Sequence, residues 1–265
     1  MTAKYDFAGK VAIVTGSADG IGKAIAAKLA QDGATIVVCD VQIDKGRQTL
    51  EELGKNGIFV PCDVSDVGQV NQLIAATMAE YGRLDIMVNN AGINATRPED
   101  RVTIDKYPDE TWHRIINVDL NGTFYCCKTA AKVMVVQKSG NIINISSIAG
   151  VVALRLQIGF VAAKAAILKM TEAMACELGP MGIRVNSVSP GSTLTDATRN
   201  LFYSKNGSFS DMAQRVISFI PQGRPGEAAE IAEAVAFLAS DAAAYINGHN
   251  IVVDGGWTSG FNRDF

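Results

Sequence analysis

Short apolar runs alternate with stretches of helical periodicity along most of the chain. Residues 11–15 form a β-branched run of strand length that ends at Gly16. From Gly20 onward, apolar residues recur every three or four positions until Gly33 stops the pattern. Residues 35–39 are then a second apolar run. This order predicts a strand, a helix and a second strand parallel to the first.

The same alternation continues towards the C-terminus. Because parallel strands need crossover connections, usually helices, that pack on the sheet, the pattern predicts an α/β, doubly wound, Rossmann-type fold. Its sheet is expected to be parallel and seven-stranded, with helices on both faces. The further predicted helices cover residues 44–55, 66–81, 109–137, 160–178 and 227–239, and the further strands cover 58–60, 84–88, 141–145, 184–188 and 250–253.

One segment interrupts this rhythm. Residues 192–222 combine polar, glycine and aromatic positions and are too long for an ordinary connection. They follow the carboxyl end of a predicted strand, which is where open α/β sheets bind ligands. We therefore predict a substrate lid here, either mobile or built from two short helices. Elsewhere no linker divides the chain, so residues 1–265 are expected to form a single domain.

Composition narrows the possible partners. With 48% hydrophobic and 19% charged residues, the 265-residue chain has the balance of a packed globular protein. Its net charge of -3 offers no basic surface for nucleic acid. The sequence shows no apolar leader and no run long enough to span a membrane, so we expect a cytoplasmic protein. The five cysteines lack metal-site spacing and are expected to be reduced core residues, with no metal bound.

Glycines cluster where the first predicted strand meets the first predicted helix. Glycine at this point lets the chain turn tightly and brings backbone N–H groups and the helix dipole close to a pyrophosphate. A glycine cluster between a strand and a helix is typical of dinucleotide sites. The contacts predicted for this turn are Gly16, Ser17, Asp19, Gly20, Ile21 and Gly22.

The second predicted strand leads to Asp40, about twenty residues after the glycine turn. A carboxylate there can accept hydrogen bonds from the ribose hydroxyls of an adenosine, and it repels a 2′-phosphate. No arginine or lysine adjoins Asp40, and the turn offers Asp19 where an NADP site would present a base. The pattern therefore favours NAD(H) as the cofactor.

Further motifs resemble the short-chain dehydrogenase/reductases over nearly the whole chain. TGSADGIG at residues 15–22 resembles that family's TGxxxGIG, while NNAG at 89–92 and VDGG at 253–256 match other signatures. DV at 63–64, NISS at 144–147 and PG at 190–191 also resemble family motifs. The resemblance implies further cofactor contacts at Val41, Asp63, Val64, Asn90, Ala91, Gly92, Lys164, Pro190, Gly191, Thr193 and Thr195.

The same resemblance implies four catalytic positions, two of which carry the expected side chain. Ser147 occupies the position of the serine that orients the substrate oxygen. Lys164 occupies the position of the lysine that holds the nicotinamide ribose. The tyrosine that exchanges the alcohol proton falls on Phe160, one helical turn before the lysine. The asparagine that anchors a water chain falls on Asp119, which adds a negative charge beside Lys164.

Phenylalanine has no hydroxyl and cannot transfer a proton. Loss of a general acid/base costs about 10²–10⁴-fold in rate. We therefore expect slow or absent hydride transfer between NAD(H) and a secondary alcohol or ketone, whether cyclic, polyol or hydroxy-acid-like. Phe160 is consistent with natural divergence and with an engineered change. Tyr203 in the predicted lid is a candidate to replace the missing acid/base, although its position favours a packing role.

The substrate pocket is expected to lie between the lid and the loop before the helix of Lys164. Thr193 and residues 154–157 are its predicted lining. Either Arg155 or Arg199 could meet a substrate carboxylate there. The identity of the alcohol or ketone does not follow from these residues.

Two other interpretations stay open. The intact glycine turn and Asp40 fit a non-catalytic NAD(H)-binding protein equally well, because a fold does not dictate a function. A non-redox reaction, such as an elimination with Asp119 as base, is the third possibility. The family resemblance also implies a homo-oligomer, expected to be a tetramer, that pairs through the helices predicted at 109–137 and 160–178.

Overall fold

A parallel sheet forms the centre of the molecule. The computed structural model describes residues 4–54, 56–94, 100–195 and 210–260. In chain order, its strands are β1 (Val11–Thr15), β2 (Thr35–Asp40), β3 (Gly57–Pro61), β4 (Ile86–Asn89), β5 (Gly140–Ile145), β6 (Ile183–Pro190), β7 (Thr193–Leu194), β8 (Gly226–Glu227) and β9 (Asn250–Val253).

Seven of these strands form one sheet in the order β3-β2-β1-β4-β5-β6-β9, and every neighbouring pair is parallel. After β3 the chain crosses back over β1 and adds β4 on its other side. The strand order therefore reverses between β1 and β4, which opens a crevice at the carboxyl ends of these strands. The predicted doubly wound, seven-stranded fold is confirmed.

Helices cover both faces of this sheet. They are α1 (Gly20–Gln31), α2 (Ile43–Glu52), α3 (Val67–Tyr81), α4 (Asp109–Ile115), α5 (Gly122–Gln137), α6 (Ile158–Leu178), α7 (Asp211–Ile217) and α8 (Ala228–Ala239). Most boundaries agree with the sequence prediction to within one or two residues. The second helix differs more, because it ends at Glu52 rather than at Lys55.

Alternating residues of the central strands supply two hydrophobic cores. Val14 packs on one face with Leu29 of α1 and Val235 of α8. Its neighbour Ile13 packs on the other face with Leu73 of α3. Because both faces are covered, β1 is buried along its whole length, as its unbroken apolar run predicted.

The predicted helix over residues 109–137 is interrupted, which corrects the sequence interpretation. A π-helical turn at Ile116–Asn121 separates α4 from α5. Helical periodicity continues through such a turn, so the apolar pattern conceals the extra residue. Single π turns inside helices are frequent at functional sites, and this one carries Asp119.

The predicted lid is only partly described, because residues 196–209 lie outside the described part of the chain, and with them Arg199 and Tyr203. The part that follows forms α7 rather than a structureless connection. Strands β7 and β8, which the sequence analysis did not predict, pair with each other on either side of the lid segment. The chain on either side of the predicted lid is therefore held together by this pairing.

The cysteines are free thiols, and four of the five are buried. Cys176, on α6, is exposed, so the prediction of a core position was wrong for that residue. Within the described residues, none of the helices combines the length and the apolarity that crossing a bilayer requires.

Candidate active site

A cleft of about 700 Å³ lies at the carboxyl ends of the strands, where the strand order reverses. This volume is in the range of small-molecule sites. Of the predicted cofactor contacts, the cleft is lined by Gly16, Asp19, Gly20, Ile21, Asp40, Val41, Asp63, Val64, Asn90, Ala91, Gly92 and Thr195.

The glycine turn forms one wall of this cleft. Gly16 has a φ of 64°, a left-handed conformation that favours glycine. A Cβ at Gly22 would overlap the carbonyl oxygen of Gly16, so the helix can start this close to the turn only without a side chain. The N–H groups of Ile21 and Gly22, in the first turn of α1, have no helical acceptor. This backbone fits the pyrophosphate of a dinucleotide.

The loop after β4 is bound to that turn. The side chain of Asn90 donates to the carbonyl oxygens of Thr15 at 2.9 Å and Gly16 at 3.1 Å. The backbone N–H groups of Asn90 and Ala91 both donate to Thr15 Oγ1 at 3.0 Å. The two loops that line the cleft are therefore held in fixed register.

Asp40 lies at the end of β2 and is nearly buried. Its Oδ2 accepts a hydrogen bond from Ala18 N at 3.0 Å, and its Oδ1 accepts one from Gln42 N at 2.9 Å. These bonds aim the carboxylate at the glycine turn and leave acceptor capacity on both oxygens. The position fits the ribose hydroxyls of an adenosine.

Asp19 does not present a free negative charge to the cleft. Its Oδ1 accepts a hydrogen bond from Gly20 N at 2.7 Å, and Lys45 Nζ lies 2.8 Å from its Oδ2. The bond from Lys45 and the backbone bond hold the pKa of Asp19 below its ordinary value. No arginine or lysine adjoins Asp40 in the sequence, but Lys45 of α2 reaches the Asp19 carboxylate in the fold.

Some predicted contacts stand behind the cleft rather than in its wall. Ser17 is fully buried; its hydroxyl donates to Val14 O at 2.7 Å and accepts from Cys39 N at 3.0 Å. Its side chain therefore supports the turn from behind, and a cofactor contact at Ser17 stays a prediction. The lining residues of the cleft also do not include Gly22, Lys164, Pro190, Gly191 and Thr193.

Lys164 lies beyond the loop of Gly92, and Asp119 is beside it. Lys164 is buried on α6, and its Nζ lies 3.2 Å from Ile145 O and 3.2 Å from Asp119 Oδ2. Asp119 has no exposed surface, and its Oδ1 accepts from Ile93 N at 2.8 Å. Burial raises the pKa of the Asp119 carboxyl, and the charge of Lys164 opposes that rise. The π-helical turn thus delivers a carboxylate to the lysine.

The position expected to carry the acid/base holds an apolar ring. Phe160 packs in a small cluster with Ile115 and Ala163, and its ring centroid is 5.5 Å from Lys164 Nζ. A cation at this distance from an aromatic face is attracted to it. The lysine is therefore held by a carbonyl, a carboxylate and a ring, but Phe160 offers no proton.

The two serines after β5 differ in their roles. Ser146 is buried, and its hydroxyl donates to Lys164 O at 2.8 Å. Ser147 is half-buried, and its Oγ accepts from Ala149 N at 3.1 Å. Ser146 therefore fixes the helix of Lys164, while the Ser147 hydroxyl proton can still be donated to a substrate oxygen.

Sequence reasoning missed several residues near the cleft. Asn94 lines it, and the Asn94 side chain donates to Gln157 Oε1 at 2.8 Å, which ties the NNAG loop to the start of α6. The signal was present, because Asn94 is a polar residue two positions after the motif. Leu156, which was predicted to line the pocket, has a φ of 64°, a strained conformation for a residue with a side chain. The other missed lining residues are Gln42, Cys62, Ile93, Arg114 and Val118.

Tyr107 is a further hydroxyl near Phe160 that the sequence did not single out. The Tyr107 hydroxyl oxygen is buried and has no hydrogen-bond partner among the described residues. It lies 3.0 Å from the position that a Cβ on Gly159 would occupy. Burial raises the pKa of this phenol. The Tyr107 hydroxyl therefore faces the backbone of α6 at Gly159, on the side of the helix that contacts Trp112 and Ile115.

A second cleft of similar volume lies at the opposite edge of the sheet, at the amino ends of the strands. Lys10, Asp85, Arg184 and Tyr245 are among its lining residues, but none of the predicted site residues is. Because open parallel sheets bind ligands at their carboxyl ends, the cleft between β1 and β4 is the candidate active site.

Comparisons with known proteins agree with this geometry. A family model described as enoyl-(acyl carrier protein) reductase matches residues 16–258. The chain is 40% identical over 252 residues to a 3-oxoacyl-[acyl-carrier-protein] reductase of Synechocystis sp., covering 93% of this chain and 96% of that protein. It is 36% identical over 263 residues to a D-threitol dehydrogenase of Mycolicibacterium smegmatis, covering 97% of each.

A solved structure matches as well. The crystal structure of gox2181 has a TM-score of 0.90 and 32% sequence identity to this chain, and the match covers 96% of this chain and 98% of the other. The sequence matches and the structural match each extend over nearly the whole chain. The chain therefore belongs to the short-chain dehydrogenase/reductase family of oxidoreductases.

Proposed function

We propose that this chain binds NAD(H) and is built for hydride transfer to or from a secondary alcohol or ketone, but works slowly or not at all as written. The observation that carries the proposal is the Phe160 ring 5.5 Å from Lys164 Nζ, at the position of the family's proton-transferring residue. Binding and orientation are supported by intact parts of the site, while the proton step lacks its group.

The chain's own residues have separate tasks in this proposal. NAD(H), when bound, supplies the hydride donor or acceptor. The glycine turn and Asp40 bind the dinucleotide, and Lys164 holds its second ribose. The Ser147 hydroxyl orients the substrate oxygen. Because Phe160 cannot take the alcohol proton, that proton must pass to water, which costs about 10²–10⁴-fold in rate.

The preference for NAD(H) over NADP(H) rests on Asp40. Its carboxylate repels a 2′-phosphate, and the two backbone bonds described above prevent it from turning away. Asp19 adds little to the repulsion of a 2′-phosphate, because Lys45 neutralises its charge. We therefore expect NAD⁺ to bind more tightly than NADP⁺ in calorimetry, and the opposite order would contradict this part of the proposal.

The substrate is expected to be a small hydroxylated molecule. The D-threitol dehydrogenase relative is named for a polyol. Next to Phe160, the hydrogen-bonded amides of Asn94 and Gln157 offer neutral donors and acceptors, which suit hydroxyl groups. Cyclic alcohols and hydroxy acids also belong to the expected substrate class. Arg155 is exposed and lies two positions before Gln157, so we propose it as the partner of a substrate carboxylate.

The structure disfavours the non-redox alternative with Asp119 as base. A base has to reach its substrate, but this carboxylate has no exposed surface and is engaged by Ile93 N and Lys164. A non-catalytic NAD(H)-binding role remains the second candidate, and Phe160 is the observation in its favour.

We further propose a cytoplasmic homotetramer, with one pairing surface on α5 and α6. These helices leave Phe124 45% and Val136 83% exposed, which is unusual for apolar side chains of this size. An apolar groove between the helices includes Val135, Met170 and Met174. Sedimentation of the purified protein tests this assignment, and a monomer at micromolar concentration would contradict it.

The deciding experiment restores the missing hydroxyl. We expect Phe160→Tyr to raise turnover at least 100-fold with a panel of secondary alcohols, polyols and cyclic ketones, followed by NADH absorbance. Phe237→Tyr makes the same chemical change on α8, outside the cleft lining and the proposed pairing surface, and should leave turnover unchanged. If wild type and Phe160→Tyr bind NAD(H) equally but neither turns over, the dehydrogenase assignment fails and the binding role replaces it.

A further inference from the structure

The Asp119–Lys164 pair determines the net charge at one end of the cleft. Lys164 alone would place one positive charge there. Asp119 Oδ2, 3.2 Å from the ammonium nitrogen, cancels it. Both side chains are buried, so solvent and salt screen this charge balance much less than they would at the surface.

The carboxylate acts mainly through its charge. Its Oδ1 is bound by Ile93 N, but no described group donates a well-aligned hydrogen bond to Oδ2. The contact with Lys164 is therefore an electrostatic approach rather than a directed bond. A neutral amide at position 119 would keep nearly the same shape but would leave the ammonium charge unbalanced.

The Asp119–Lys164 pair lies directly behind the wall of the cleft, at Gly92. Gly92 lines the cleft, and a Cβ on Gly92 would lie 3.1 Å from Asp119 Oδ2 and 3.2 Å from Lys164 Nζ. Asp40 is bonded to the glycine turn at Ala18 N, whereas Gly92 lies beside the Asp119–Lys164 pair. A dinucleotide with its pyrophosphate at the glycine turn and its adenosine ribose at Asp40 directs its other half towards Gly92.

We propose that Asp119 sets the preference of this protein for the oxidised over the reduced cofactor. The oxidised nicotinamide ring carries a positive charge that the reduced ring lacks. An unbalanced lysine would disfavour the oxidised form, and the carboxylate removes that penalty. The inference rests on the proposed binding of NAD(H), but it concerns the ratio of two affinities rather than binding itself.

The test compares dissociation constants of NAD⁺ and NADH, measured by calorimetry and fluorescence at one pH and ionic strength. We expect Asp119→Asn to shift the ratio of the two constants about 10-fold towards NADH, the size expected for one buried charge at protein dielectric constants. A purely structural defect would weaken both forms by the same factor and leave the ratio unchanged.

Two further variants isolate the charge. Asp119→Asn combined with Lys164→Met removes both charges, so its ratio should return to within about 3-fold of wild type, even if both forms bind more weakly. Asp63→Asn removes a carboxylate at the adenosine end, which both cofactor forms share. It should change the two affinities equally.

The outcomes separate this inference from the proposed function. If wild type binds neither NAD⁺ nor NADH, the proposed function fails, and the inference fails with it. If wild type binds both but Asp119→Asn leaves their ratio unchanged, only the inference is overturned. Should Asp119→Asn not fold, Lys164→Met alone creates the opposite imbalance and must shift the ratio towards NAD⁺. An unchanged ratio there also overturns the inference.

Discussion

The two ends of the cleft are built in different ways. At the end proposed to bind adenosine, the cleft is lined by backbone of the glycine turn and by Asp40, and these residues follow the pattern that the resemblance implies. At the reacting end, single side chains determine the chemistry, and two of the four differ from expectation, at Phe160 and Asp119. The first end is defined by the path of the chain, and the second by individual functional groups.

This difference shows why binding and catalysis can separate in one fold. A backbone turn tolerates few changes without loss of packing, so a chain that keeps the fold keeps the dinucleotide cleft. A tyrosine hydroxyl, in contrast, can be lost from an aromatic ring with little effect on packing. A protein of this kind can therefore lose its proton-transfer group and still bind its cofactor.

The largest expected effect comes from breaking the ion pair at the reacting end. Lys164→Met leaves Asp119 as an unpaired buried charge, which should lower the free energy of unfolding by about 3–5 kcal/mol. The double variant with Asp119→Asn removes both charges and should recover at least half of that loss. Denaturant unfolding at neutral pH measures both effects. Equal stabilities of single and double variants would show that Asp119 is already uncharged in the folded protein.

A smaller effect is expected from the glycine turn. A Cβ at Gly22 would overlap the Gly16 carbonyl oxygen, so Gly22→Ala should cost about 1–3 kcal/mol of stability and weaken NAD⁺ binding at least about 10-fold. In Gly68→Ala, in the first turn of α3, the new Cβ would lie 3.1 Å from Asp66 Oδ1, the end of an exposed side chain that can move, so NAD⁺ binding should stay unchanged. If Gly22→Ala loses stability but binds NAD⁺ normally, the turn is not the pyrophosphate site.

The smallest effect belongs to the surface beside the lid. Glu230 binds Arg224 at 2.6 Å and accepts from Glu227 N at 2.8 Å, next to β8. These bonds lower the pKa of Glu230 to about 2. A lowered carboxyl pKa stabilises the fold above its ordinary value of 4.5, and that contribution disappears as the pH falls through about 2.

Glu230→Gln should therefore flatten the dependence of stability on pH between about 4.5 and 2. The side chain is 43% exposed, so solvent screening should limit the effect to less than about 1 kcal/mol. Thermal unfolding across this pH range measures it, and Glu80→Gln, on an exposed part of α3, serves as the control. An unchanged pH profile in Glu230→Gln would mean that the pair with Arg224 does not form in solution.

Local patterns were enough to predict the strands and the position of the glycine turn. The unbroken apolar run of β1 and the glycines after it act within a few residues of one another, so their structure follows from local sequence. The ion pair between Asp19 and Lys45 could not be found in this way, because α2 brings the lysine from 26 positions away. The π-helical turn was also hidden, since its residues keep the apolar periodicity of a regular helix.

Local sequence was sufficient to predict the doubly wound sheet, the glycine turn between β1 and α1, and the absence of a hydroxyl at Phe160. These properties depend on short-range periodicity, on glycine positions and on the chemistry of one side chain. Only the tertiary structure decided that Ser17 and Ser146 are supports, that Asn94 meets Gln157, and that the Asp119 charge is buried against Lys164. These relations join residues from separate elements, and only packing brings them together.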